Sequence, residues 1–205
     1  FSPVRGNKLE GLKQKDLIGI PWKVAFALQS DGWYLRSDII WSKPNPMPES
    51  VQDRPTKAHK YIFLLTKNAK YYYDADAISE PTTTFDLTVR DRDTTRLNNV
   101  PGRERMSGLK TNSYETKNKR SVWSVNTQPY SEAHFATFPE KLIEPCILAG
   151  CPKDGVVLDP FVGSGTTSAV AQKYGRKSIG TDLNKEYLDI AVKRITSTQP
   201  RLLLS

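Results

Sequence analysis

The sequence predicts an α/β protein whose C-terminal half is a doubly wound unit, and three observations lead to this fold class. Over residues 139–195 the apolar spacing alternates between helix, strand, helix, strand and helix. Residues 156–159, VVLD, are apolar up to a final acid, which is typical of a buried strand in a parallel sheet. The glycine-rich turn GSG follows this strand and precedes a helix, as in nucleotide-binding α/β folds.

The N-terminal part is predicted to contribute one helix and three strands. Residues 16–29 carry apolar side chains at helical spacing, with Asp16 as the N-cap and Pro21 in the first turn. The three prolines of residues 43–50 make that segment a loop. The last of the three strands is close enough to the second to pair with it as a hairpin. The strands are expected at residues 34–41, 59–66 and 70–74.

Residues 81–120 differ in character from the rest of the chain. Thr, Asn, Arg, Gly and Asp dominate, apolar residues are sparse, and basic residues outnumber acidic ones. Such a segment buries little surface by itself, so it is interpreted as an insertion that is mobile or ordered by a ligand. A short strand at 121–126 and a helix at 139–150 are expected after it.

The bulk composition favours a globular protein with an anionic partner. The 205 residues suffice for one sizeable core, and no apolar run approaches the roughly 20 residues that span a bilayer. The net charge of +8 favours nucleic acid as a partner. Cys146 and Cys151 do not have the spacing of a metal site, so no metal is expected and a reduced, intracellular chain is the simpler interpretation.

The glycine-rich turn favours one cofactor over two others. A phosphate-binding Walker loop requires a lysine after its last glycine, and none follows Gly165. The dinucleotide pattern is incomplete, because Gly163 and Gly165 are followed by Ser168 in the third place. Asp159 would repel a pyrophosphate but suits S-adenosylmethionine, which carries an ammonium and a sulfonium and no phosphate. Asp182 ends the next strand and can accept hydrogen bonds from ribose hydroxyls, with a helix N-cap as the alternative role.

Several segments together resemble the amino-group DNA methyltransferases, which modify cytosine N4 or adenine N6. DPFVGSGTT and GTDLNKEYLDIAVKRI resemble the cofactor motifs of that family, and AHFATFPEKLIEPCILAGC is similar to the segment before them. DGWYLRSDIIWSKPNPMPES and RPTKAHKYIFLLTK resemble the strands and loop that follow its catalytic motif. The order of these parts resembles the permuted class, in which the catalytic region precedes the cofactor region. The resemblance extends from about residue 15 to 195.

This resemblance implies a Rossmann-like, S-adenosylmethionine-dependent methyltransferase fold, with a mostly parallel sheet, flanking helices and a basic irregular insertion. It implies one partial domain with a catalytic-side region at 15–78, a target-recognition insertion at 81–120 and a cofactor region at 133–195. Double-stranded DNA is the implied substrate, and the implied location is the cytoplasm of a prokaryotic or phage-type system. The cofactor-binding residues it implies are Thr137, Phe138, Pro139, Asp159, Pro160, Phe161, Gly163, Ser164, Gly165, Thr166 and Asp182. The DNA-binding residues expected are Lys43, Asn45, Arg54, Lys57, Arg90, Arg92, Arg96, Arg103 and Arg105.

One part of the family pattern is missing from the sequence. The family grips its target amine with Asp, Asn or Ser followed by Pro-Pro and an aromatic residue, and these 205 residues contain no Pro-Pro pair. The segment 127–130, TQPY, has one proline and is interpreted as a linker. No catalytic residue is therefore identified, and we expect the sequence to begin after the motif. Three alternatives to a DNA amino-methyltransferase remain: an inactive DNA- or cofactor-binding relative, a methyltransferase acting on RNA or protein, and a protein that binds NAD.

Overall fold

A computed structural model describes residues 11–81, 116–128 and 137–199, and these ranges form an α/β structure of the expected class. The helices are α1 (Ile20–Ser30), α2 (Glu140–Gly150), α3 (Thr166–Lys173) and α4 (Lys185–Ser197), and a short 3-10 helix spans Asp76–Ile78. The strands are β1 (Tyr34–Ser42), β2 (His59–Thr66), β3 (Glu80–Pro81), β4 (Thr116–Lys117), β5 (Val122–Ser124), β6 (Val156–Asp159) and β7 (Lys177–Gly180).

The described strands form three separate sheets. In the first, β1 lies between β2, to which it is antiparallel, and β5, to which it is parallel. The antiparallel pair β3–β4 forms the second sheet. The third consists of β6 and β7, which are parallel and pair from Val156 opposite Lys177 to Asp159 opposite Gly180. The doubly wound unit predicted for the C-terminal half is therefore β6–α3–β7–α4, with α2 before it.

Helix α2 holds the two halves of the fold together. Its residue Leu142 packs with Trp41 and Trp123 beside the first sheet. One turn and a half later, Ile147 packs with a second buried cluster that includes Val170 and Tyr174 beside β6. The same helix thus contributes to both cores and fixes the position of the third sheet relative to the first.

Helix α1 begins later than the sequence predicts. Its N-cap is Gly19, whose φ of 70° lies in the left-handed region, so the helix cannot extend back to Asp16. Asp16 instead accepts a hydrogen bond from the main-chain N–H of Lys13 over 2.7 Å and closes the turn before the helix. The placement of Pro21 in the first helical turn is confirmed.

The prediction of a third N-terminal strand at 70–74 is wrong, because the structure has no strand there. The N–H of Asp74 donates to the carbonyl oxygen of Ala149 over 2.9 Å, so the segment is tied to the end of α2 rather than to β2. The Asp74 carboxylate also accepts the N–H of Ala77 over 2.9 Å and starts the 3-10 helix. This tertiary contact outweighs the strand propensity of the three tyrosines.

Strand β6 is buried on one face only, although the sequence predicts a fully buried strand. Val157 packs against the cluster of α2 and α3. Val156 and Leu158 point to the opposite face and remain 56% and 64% exposed, as does Ile179 of β7 at 56%. Helix α3 covers one side of the pair, and no element within the described ranges covers the other.

Strands β3 and β4 close the base of the basic insertion. Glu80 lies opposite Lys117, and its carboxylate pairs with Lys119 at 3.4 Å and Arg120 at 3.0 Å. Burial acts to raise the pKa of Glu80, but hydrogen bonds from Arg120 and Lys119 outweigh it and hold the pKa below its usual value. Residues 82–115 lie outside the described ranges, and so do the predicted DNA contacts Arg90, Arg92, Arg96, Arg103 and Arg105.

Candidate functional site

The glycine-rich turn links the end of β6 to the start of α3. Gly163 and Gly165 have φ values of 50° and 80°, a region that favours glycine. A Cβ atom on Gly165 would lie 2.9 Å from the Cα atom of Ala191. This separation is shorter than the contacts that Cβ atoms make in proteins. The second glycine therefore lets the turn pack directly on α4.

The carboxyl ends of β6 and β7 meet at this turn. The N–H of Thr181 donates to the carbonyl of Asp159 over 3.0 Å, and the N–H of Val162 donates to the carbonyl of Thr181 over 2.9 Å. Val162 packs so closely against Gly180 that a Cβ atom on Gly180 would lie 2.6 Å from the Cγ2 atom of Val162. This edge is where parallel α/β sheets bind their ligands.

Asp182 fixes the turn from the end of β7. Its Oδ2 atom accepts the N–H of Gly163 over 3.0 Å, and its Oδ1 atom accepts the N–H of Asn184 over 2.9 Å. The N-cap of α4 is Asn184, whose Oδ1 atom accepts the N–H of Glu186, so the alternative N-cap role for Asp182 is wrong. Each carboxylate oxygen has two lone pairs, which leaves acceptor capacity for the hydroxyls of a ligand.

Asp159 brings a second negative charge to the same edge. Its Oδ1 atom accepts the N–H of Phe161 over 3.0 Å, and the other oxygen has no hydrogen-bond partner among the described residues. Phe161 beside it is 86% exposed, and Pro160 is also exposed. Carboxylate and exposed ring together suit a ligand that carries both positive charge and a planar group.

Arg194 joins the glycine turn to the first residue of α2. Its Nη1 atom donates to Thr166 Oγ1 over 2.8 Å and to Ser164 Oγ over 3.5 Å. Its Nη2 atom donates to Glu140 Oε1 over 2.9 Å. Glu140 directly follows the predicted cofactor residues 137–139, so the guanidinium ties the glycine turn to the helix that begins after them. Arg194 is not among the residues predicted from the sequence, although its position three residues after Ala191 places it on the helix face that meets the turn.

The predicted segment 137–139 lies between this network and the core of the first sheet. Pro139 is buried and is the N-cap of α2. Phe138 is half-buried and packs against the cluster of Trp41, Trp123 and Leu142. Phe138 therefore anchors the segment to the core, while Thr137 before it is half-buried.

The predicted DNA contacts outside the insertion have distinct environments. Asn45 is bonded to Thr127 twice, accepting its N–H over 3.0 Å and donating to its carbonyl over 3.5 Å, so it ties the loop to the segment after β5. Arg54 forms an ion pair of 2.7 Å with Glu49. Lys43 lies over the ring of Trp41, and Lys57 is exposed. Of these four residues, the two lysines remain available for an anionic ligand.

A cavity of about 260 Å³ lies elsewhere, between β5 and α2. Its lining includes Glu80, Lys119, Arg120 and Lys141. The Glu80 carboxylate, the one acidic group in this lining, is already paired with two of these cations, so the cavity offers no free carboxylate of the kind found at the glycine turn. The carboxylates Asp159 and Asp182 make the turn the candidate site.

The described residues hold no group of three or more His, Cys, Asp or Glu side chains that could bind a metal ion. Within the same ranges, no helix has both the length and the apolar character needed to cross a membrane.

The parallel strand pair, its glycine turn and the two terminal carboxylates define a Rossmann-like fold of the methyltransferase type. Solved structures agree. The chain aligns with the M1.HpyAVI–SAM complex at a TM-score of 0.59 and 22% identity, covering 88% of this chain and 71% of that one. It aligns with the cytosine-N4-specific PvuII DNA methyltransferase at a TM-score of 0.63 and 18% identity, covering 92% and 60%.

Residues 10–193 match the DNA methylase family of N6 and N4 methyltransferases, and the chain belongs to that family. It is 52% identical over 192 residues to the Type II methyltransferase M.Cfr9I of Citrobacter freundii, covering 94% of this chain and 54% of that protein. It is 50% identical over 186 residues to M.SmaI of Serratia marcescens, covering 91% and 54%. The chain thus spans about half the length of the curated relatives it matches.

Proposed function

We propose that this chain binds S-adenosylmethionine at its glycine turn and belongs to an enzyme that methylates an exocyclic amine in duplex DNA, at cytosine N4 or adenine N6. The observation that carries the proposal is the pair of carboxylates, Asp159 and Asp182, which lie together at the carboxyl ends of the parallel strands β6 and β7. Family membership and the net charge of +8 support the nucleic-acid substrate.

The charge at the turn distinguishes this cofactor from a dinucleotide. A pyrophosphate placed at the turn would meet the carboxylate of Asp159 and be repelled. S-adenosylmethionine brings an ammonium and a sulfonium, which the same carboxylate attracts. Asp182 supplies acceptors for the ribose hydroxyls, and the exposed ring of Phe161 supplies a surface for the adenine.

The residues of the chain act in this proposal by binding and orientation. When bound, the cofactor supplies a methyl group on a positively charged sulfur. Gly163 allows the main chain to come close to the ligand, Gly165 lets the turn pack on α4, and Thr166 starts the helix that follows the turn. Holding the methyl donor at a fixed edge of the sheet lowers the entropic cost of meeting the acceptor amine.

The other regions are assigned on the same basis. Residues 133–195 form the cofactor region, 81–120 the target-recognition insertion and 15–78 the catalytic-side region. The two-stranded base of the insertion, β3 with β4, and the ion pairs of Glu80 support a separate insertion carried by the core. The basic residues of the insertion, together with Lys43 and Lys57, would contact DNA phosphates.

Photochemical labelling with S-adenosylmethionine tritiated in its methyl group tests the cofactor assignment. We expect the parent chain to be labelled, and excess S-adenosylhomocysteine to suppress the label while NAD does not. Labelling that NAD suppresses equally, or that Asp159→Ala leaves unchanged, would contradict the proposal. Methyl transfer assayed in parallel on duplex DNA and on RNA of the same sequence tests the substrate, and transfer to RNA alone would contradict that part.

A cofactor-binding relative without transferase activity is the second candidate. It is favoured by the absence of a Pro-Pro-aromatic motif from these 205 residues. It predicts labelling by the tritiated cofactor together with no incorporation into DNA when the chain is assayed with duplex and cofactor. Incorporation above the level of an Asp159→Ala control excludes it.

A further inference from the structure

Two lysines share one buried indole ring at the end of the first sheet. Lys43 Nζ lies 4.7 Å from the centre of the Trp41 ring, and Lys60 Nζ lies 5.9 Å from it. Trp41 itself is 4% exposed. Both distances are within the range of a cation–π contact, so the ring holds two ammonium groups in one place.

The strand pairing dictates this arrangement. Lys60 is the residue opposite Trp41 across β1 and β2, and directly opposed side chains lie on the same face. Lys43 follows Trp41 by two residues, and its N–H donates to the carbonyl of Ala58 over 2.8 Å, which extends the ladder and keeps Lys43 on that face. The two cations are therefore fixed by the backbone register.

The positive charge of this pair is not balanced within the described part of the chain. No carboxylate of residues 11–81, 116–128 or 137–199 forms an ion pair with Lys43, Lys57 or Lys60, whereas at least one is formed by each of Arg54, Lys119, Arg120, Lys173 and Arg194. Burial, and then the charges of Lys60 and Lys57, lower the pKa of Lys43 below its usual value. An anion at this place would relieve the repulsion.

The surroundings of the two lysines are held in place and lie beside the cofactor segment. The Trp41 Nε1–H donates to the carbonyl of Val125 over 2.7 Å, and the double hydrogen bond between Asn45 and Thr127 fixes the loop that follows β1. Phe138 packs against the same cluster as Trp41. A strand of nucleic acid bound at the lysines would pass close to the segment assigned to the cofactor.

We propose that Lys43 and Lys60, held on the Trp41 ring, bind a phosphate group of the DNA backbone. This inference rests on the proposed function, because that function makes DNA the substrate. It adds Lys60 to the expected contacts and assigns Arg54, which is paired with Glu49, to the structure of the loop. Such a contact gives affinity and position without reading sequence.

The test measures binding of a fluorescently labelled duplex to the 205-residue chain by anisotropy, at salt concentrations from about 50 to 200 mM. Lys43→Gln and Lys60→Gln are compared with Lys67→Gln. Lys67 is the matched control, because its Nζ lies 5.1 Å from the Trp33 ring at the opposite end of the same two strands. Lys60→Arg retains the charge and serves as the rescue variant.

We expect Lys43→Gln and Lys60→Gln each to lower the DNA association constant by about 3- to 10-fold and to reduce the salt slope by about 1. Lys67→Gln and Lys60→Arg should match the parent, and the affinity for S-adenosylmethionine should not change. The inference is overturned if both glutamine variants match Lys67→Gln, or if they weaken the cofactor and not the DNA. A parent chain that binds no duplex at the lowest salt contradicts the proposed function itself.

Discussion

The main-chain N–H of Gly163 donates to Asp182 Oδ2 over 3.0 Å, so the carboxylate that lies two residues after β7 also fixes the glycine turn that follows β6. The two features that suggested a nucleotide site from sequence are thereby one physical unit. A change at Asp182 acts on the shape of the turn and on the acceptors offered to a ligand at the same time.

Replacing Asp182 by Asn should weaken S-adenosylmethionine binding by about 10-fold or more, which corresponds to about 1.4 kcal/mol. The amide has a single acceptor oxygen, so it cannot serve the N–H groups of both Gly163 and Asn184 and still accept from ribose hydroxyls. Asp189→Asn on the exposed face of α4 makes the same change of charge and serves as the control. Equal cofactor affinities of the two variants in equilibrium dialysis would contradict this role.

Gly165→Ala should destabilise the fold by about 2 to 4 kcal/mol, since it combines overpacking with a left-handed backbone. The added Cβ would lie 2.9 Å from the Cα atom of Ala191. Gly175→Ala has a similar φ of 71° but no atom within 4 Å, so it isolates the backbone cost of about 1 to 2 kcal/mol. Urea unfolding measures the free energy of unfolding of both variants. Equal decreases would show that the contact of Gly165 with α4 does not contribute to stability.

Arg194→Met should lower the free energy of unfolding by about 1 to 3 kcal/mol and also weaken the cofactor, because it removes donors from Thr166 and Glu140 together. Lys193→Met, at the exposed neighbouring position, should change stability by less than about 0.5 kcal/mol. A double-mutant cycle with Glu140→Gln should show a coupling of about 1 kcal/mol. Additive effects would mean that Arg194 does not link the two segments.

Cys146 should be alkylated about 100-fold more slowly in the folded chain than in urea at pH 8, even before restricted access is considered. Burial raises the pKa of the Cys146 thiol to about 11 from a usual value of 9.0, so the reactive thiolate is scarce when the protein is folded. The folded chain holds the Cys146 proton more tightly than the unfolded chain does. The stability linked to this proton is therefore fully present below pH 9.0 and is lost as the pH rises from there to about 11. Iodoacetamide labelling read by peptide mass spectrometry checks this, and equal rates in both states would refute it.

Local patterns in the sequence were sufficient for most of the fold. Strand β2 at 59–66, the helix after Pro139 and the β6–α3–β7–α4 order follow from apolar periodicity and from prolines and glycines at element ends. The prediction of a strand at 70–74 was wrong because a tertiary hydrogen bond from Asp74 to Ala149 ties this segment to the end of α2. No local pattern reports such a contact.

The candidate site was predictable in its charges and less so in its connections. Asp159, Asp182 and the two glycines stand out because a glycine turn after a buried strand, with an acid after that strand and after the next, is the pattern of ligand sites in parallel α/β sheets. Arg194 and Lys60 did not stand out, since each looks like an ordinary solvated cation on an exposed face. Their significance comes from the partners that packing places beside them, Glu140 and Thr166 in one case and Trp41 in the other.

Calorimetric titration of S-adenosylmethionine into the parent, Asp159→Asn and Asp154→Asn is the sharpest test of a cationic cofactor at the glycine turn. Asp154 is exposed with a φ of 62°, a conformation that Asn also tolerates, so Asp154→Asn repeats the charge change away from the turn. We predict that the parent and Asp154→Asn bind the cofactor equally, and that Asp159→Asn binds it at least about 10-fold more weakly, a loss of about 1.4 kcal/mol. Equal binding by all three, or binding of NAD in preference to S-adenosylmethionine, would contradict a cationic, phosphate-free cofactor at this turn.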